Sequence, residues 1–119
     1  MTDNLYRQML DGWDQSGWVK EMFESMYGDR HCLAGRARMV VAGGRERFAG
    51  DLAPPEMPEL AQVIKEQFPE RICAATTKAH PFPSHTHMVI TEFNDHPFTT
   101  FADVALVTEK AAIKVEEQA

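Results

Sequence analysis

Residues 92–104 read EFNDHPFTTFADV, and this stretch constrains the chain more than any other. It asks for one helix to stop and another to start within a few residues. A helix ending at Phe93 needs a following residue that tolerates positive φ, and Asn94 is the best non-glycine choice. Asp95 can close an Asx-turn, and Pro97 keeps the helix from continuing. The restart is explicit: Thr100 is placed as an N-cap, and Asp103, three residues on, fills the capping-box position. From Phe101 onward Val104, Val107, Ala111 and Val115 recur at helical spacing. Each polar residue thus has a structural task, and the stretch reads as a helix–turn–helix junction rather than a catalytic Asp95–His96 pair.

The same periodicity organises much of the remainder. Leu5, Met9 and Trp13 predict a helix over residues 3–14, capped by Asp3 or Asn4. Pro58 suits a first helical turn, Leu60, Val63, Ile64 and Phe68 share one face, and Pro69 stops the run. A further helix is expected from Ser84, with Val89, Ile90 and Phe93 facing inward. CLAGRARMVVAGG reads equally as a short helix or a buried strand that stops at Gly43-Gly44. Residues 18–32 are also two-valued: Trp18, Met22 and Met26 form a helical stripe, whereas Tyr27-Gly28-Asp29 is a turn signal that fits a hairpin. The expected fold is mainly α: one compact domain over 1–119, of about four helices, with room for a short β-hairpin near residues 18–35.

Of the 119 residues, 44% are hydrophobic and 25% charged, which fits a globular chain able to bury one core. No run approaches the roughly 18 apolar residues of a membrane helix. MTDNLYRQML lacks the basic and apolar regions of a secretory signal. Cys32 and Cys73 are too few for a disulfide framework and read as reduced thiols of a cytoplasmic protein. The formal charge of −6 disfavours nucleic acid as a general partner. That charge is unevenly spread. Residues 1–29 carry two basic against six acidic groups, and residues 30–47 carry five arginines against one glutamate. Arg36, Arg38, Arg45 and Arg47 therefore form an alternative anion-binding segment, although arginines of this kind usually pair within their own chain.

Three short motifs carry a resemblance: Gly17-Trp18, CLAG at 32–35, and FNDHPFTTFADVALVTEKAA at 93–112. In this order they resemble a small family of uncharacterised function from actinomycete bacteria and their phages. Phe93 stands where that family usually has Trp, and Arg36 where it has a small residue. The resemblance implies a compact, mainly helical domain with residues 18–32 as a hairpin-like excursion, and no established activity.

No convincing catalytic constellation emerges. His80, His85 and His87 have the pattern H-x4-H-x-H, and only on a strand would His85 and His87 share a face to chelate a metal. At a helix start they point about 160–200° apart. His31 and Cys32 are adjacent, so on extended backbone they face opposite sides. No catalytic residue, metal or cofactor is assigned. The expected function is a small protein-binding or regulatory module of phage type, acting on another protein or on a second copy of itself. Trp18, Met22, Phe23 and Met26 are its expected contact residues, since they combine a rigid aromatic with adaptable thioethers. The alternative is a small metal- or thiol-dependent enzyme using the histidine-rich segment 80–96.

Overall fold

The computed structural model describes residues 4–21, 30–43, 54–72 and 84–118. Five α-helices occur among them: α1 (Leu5–Leu10), α2 (Leu33–Val41), α3 (Pro58–Gln67), α4 (Ser84–Asp95) and α5 (Phe101–Gln118). Short 3-10 turns occupy Gln15–Gly17 and Pro69–Arg71. The helices close a ring in which α1 packs on α2, α2 on α4, α4 on α3, α3 on α5, and α5 back on α1. The shared core contains Met9, Leu33, Met57, Leu60, Ile64, Val89, Ile90, Phe93, Val104 and Val107, each fully buried. No helix among the described residues is long and apolar enough to cross a membrane.

Local chemistry explains most boundaries. Asn4 caps α1, its side-chain oxygen accepting from Arg7 N–H at 3.1 Å. The helix ends at Leu10, short of the expected residue 14, because Gly12 turns into the left-handed region at φ +73°. Trp13 is buried all the same, with its Nε1 donating to Gly17 O at 2.9 Å. Pro58 opens α3, and its buried residues are Leu60, Ala61, Val63 and Ile64, the face that the periodicity predicts together with half-buried Phe68. The segment left open between helix and strand is the helix α2, and Gly43 at φ +82° lies just beyond it. At α5 the capping box is complete: Thr100 Oγ1 accepts from Asp103 N–H at 3.3 Å, and Asp103 Oδ2 from Thr100 N–H at 3.2 Å.

Two expectations need correction. Trp18 and His31 do pair through extended backbone, but the bridge is parallel, with His31 N–H donating to Gly17 O and Val19 N–H to His31 O. An antiparallel hairpin reaching residue 35 is excluded, since α2 already begins at Leu33. The second correction concerns Asn94. It is not a left-handed cap beyond α4, because α4 runs on through Asp95 and Glu21 is the one non-glycine residue with positive φ among those described.

Candidate functional site

What Asn94 does instead organises the most elaborate polar site among the described residues. On the last turn of α4 its side chain is 1% exposed, so every polar atom needs a partner inside the protein. All four positions are filled. The oxygen accepts from Trp18 Nε1 at 2.7 Å and from Leu33 N–H at 3.2 Å. The amide nitrogen donates to Val19 O at 3.1 Å and to Asp95 Oδ1 at 3.0 Å. One amide thereby joins the segment after Gly17, the first turn of α2 and the end of α4. These are the three places where the resemblance motifs fall.

The neighbouring residues extend the junction. Asp95 Oδ1 also accepts from Glu21 N–H at 2.7 Å, holding Glu21 at φ +67°. Lys20 Nζ donates to His96 O at 2.6 Å, just past the end of α4, and lies 5.5 Å from the Trp18 ring centre. Trp18 itself is half-buried against Phe101, with ring centres 6.2 Å apart.

Between the start of α2 and the end of α4 lies a cavity of about 300 Å³, lined by Glu21, Cys32, Ala34, Ile90, Thr91, Asn94 and Asp95. Cys32 is the N-cap of α2, its Sγ accepting from Gly35 N–H at 3.3 Å. Burial pushes the Cys32 thiol above its ordinary value, and the Asp95 carboxylate adds to this against the lowering effect of the Gly35 and Ala34 N–H groups. His31 faces elsewhere, lining a cleft with Trp13, Arg30 and Arg36. The adjacent His31 and Cys32 thus serve opposite sides, as extended backbone requires.

Of the expected contact residues, Trp18 belongs to the Asn94 junction, while Met22, Phe23 and Met26 lie outside the described residues. In the arginine segment, Arg36 is committed to the end of α1. Its Nε donates to Met9 O and an Nη to Asp11 O, both at 2.7 Å, while the guanidinium lies 5.4 Å from the Trp13 ring centre. Arg38 is buried in α2, and Arg45 and Arg47 lie outside the described residues. His80 is also outside them. His85 and His87 both fall in α4, about 200° apart around its axis, and His87 Nε2 lies 3.4 Å from Pro55 O. No group of three potential metal ligands occurs among the described residues.

Sequence reasoning singled out Asn94 and Asp95 for the wrong task and did not single out Glu21. The usable signal was the set of three motifs, which converge on one amide. No curated protein and no solved structure matches the chain. A family model described as a family of unknown function (DUF6197) matches residues 3–114, a span that includes Trp18, Leu33 and Asn94 together. The chain whose segments Asn94 ties together belongs to that family.

Proposed function

We propose that this protein is a regulatory binding module that docks another protein, or a second copy of itself, through segment 18–27. The observation carrying this reading is the fixed base of the segment. Trp18, Val19, Lys20 and Glu21 are each bonded to the end of α4, so the chain leaves Glu21 from a rigid point. Rigid bases lower the ordering cost of binding. Met22, Phe23 and Met26 follow in the sequence, the aromatic and thioether mix that concentrates energy at interfaces. The likeness of the three motifs to actinomycete and phage proteins, and the thiols without a disulfide framework, support a phage-type module working in a bacterial cytoplasm.

Phe23→Ala tests the reading. As a contact residue it is expected to lose partner capture from native cytoplasm, or self-association in sedimentation, while the melting temperature stays within about two degrees. Loss of about 3–5 kcal/mol of stability would identify Phe23 as core instead and remove the proposed surface.

A further inference from the structure

The cavity beside Cys32 has a chemistry of its own. Its volume of about 300 Å³ stands at the lower end of small-ligand pockets, roughly 300–1,000 Å³. Ala34, Ile90 and the Cys32 thiol give it apolar walls, and Thr91, Asn94, Asp95 and Glu21 give it a polar side.

The hydrogen bonds already made around the cavity decide which ligand it suits. Asn94 has no capacity left, since its four bonds are made internally. The start of α2 has little to offer an anion, because Leu33 N–H is taken by Asn94 and Gly35 N–H by Cys32 Sγ. Among the described residues, the charged groups lining the cavity are both carboxylates. Among the described residues, both bonds to the Asp95 side chain fall on Oδ1, which leaves Oδ2 for a ligand, and Glu21 stands beside it with its backbone fixed on the same carboxylate. The Lys20 ammonium of the junction is directed to His96 O and the Trp18 ring. The C-terminal end of α4 adds partial negative charge at the same place, and the net charge of −6 favours approach of a cation from solution.

We propose that this cavity is a binding site for an alkyl cation, an ammonium or guanidinium on a short apolar stem. The stem lies against the Cys32 thiol and the Thr91 methyl group while the charged tip meets Asp95 and Glu21. A free alkylamine and a lysine side chain share that chemistry.

Titration of the ¹⁵N-labelled full chain tests it, using n-butylammonium, butan-1-ol, butyrate and a doubly capped lysine as probes. Saturable shifts of the Glu21, Cys32, Ala34 and Thr91 amides are expected with n-butylammonium and not with the alcohol or the carboxylate at equal concentration. Binding of capped lysine as well would assign the site to a protein side chain, and its failure to bind would assign it to a free amine. Asp95→Asn retains an acceptor for Glu21 N–H and should weaken n-butylammonium about tenfold, as expected for one charge-assisted hydrogen bond. If that variant loses the folded spectrum, Glu21→Gln provides the comparison by the same weakening. Equal response to butan-1-ol, no saturable response, or unchanged affinity in the folded variant would each overturn the proposal. None of these probes depends on Phe23, so this test and that of segment 18–27 fail independently.

Discussion

Trp18 Nε1 and the side-chain oxygen of Asn94 meet at 2.7 Å across 76 positions of chain. Removing the amide is therefore not a local event. Asn94→Ala leaves the Trp18 indole, Leu33 N–H and Val19 O without their buried partner. We expect a loss of about 3 kcal/mol, measured by denaturant unfolding. Asn94→Asp should also destabilise, because a carboxylate cannot donate to Val19 O and adds negative charge beside Asp95. Wild-type stability in Asn94→Ala would mean that the junction contributes nothing to the fold.

Thr100 caps the longest helix. Thr100→Ala should cost about 1 kcal/mol, while Thr100→Ser, which keeps the acceptor for Asp103 N–H, should cost much less. Thermal melts of the pair separate the cap from the methyl group.

Asp103 couples that cap to acid stability. Partial burial raises its carboxyl, but the Arg71 guanidinium at 2.5 Å and Thr100 N–H outweigh burial and hold it below its ordinary value. A depressed folded value means the contribution is fully present above the unfolded value of about 3.9, and is lost as pH falls through the folded value. The wild-type melting temperature should thus fall below about pH 4. Asp103→Asn should lower stability by about 1–2 kcal/mol at neutral pH and flatten the acid decline. An equally steep decline in the variant would assign acid sensitivity to other carboxylates.

Cys32 should label slowly. Its thiol is buried and shifted upward, so little thiolate exists at neutral pH. In a Cys73→Ser background, Ellman's reagent should react with the native protein far more slowly than with the urea-unfolded chain. Comparable rates would show that the N-cap of α2 opens readily.

The contrast between Thr100 and Asn94 shows what was legible in the sequence. Thr100 and Asp103 bond to each other across three positions, so a sequence window contains both partners. The faces of α3 and α5 are equally local, because burial follows the helical repeat. Apart from Asp95, Asn94 finds its partners 61 to 76 positions away, and no nearby pattern marks it. A cap was its best local explanation, and burial overrode it. Gly12 shortened α1 by outweighing a periodicity that Trp13 still obeys by being buried without a helix. Glu21 carries no turn-residue signal, and its positive φ accompanies a bond to Asp95 that only the assembled fold provides.

The seam between α1 and α5 sets an order of events during synthesis. Asn4 Nδ2 donates to Ala112 O at 3.3 Å across 108 positions, and the Arg7 guanidinium clasps both Glu109 and Glu116. A growing chain thus carries the apolar side of α1, including Tyr6 and Met9, long before its main partner has been made. Until α5 leaves the ribosome the ring of helices stays open, whatever the intermediate helices achieve. Contacts of such separation slow folding relative to a simple up-and-down bundle. The last eighteen residues of the ring act as its clasp, and a translational pause before Phe101 would hold the whole molecule unfinished.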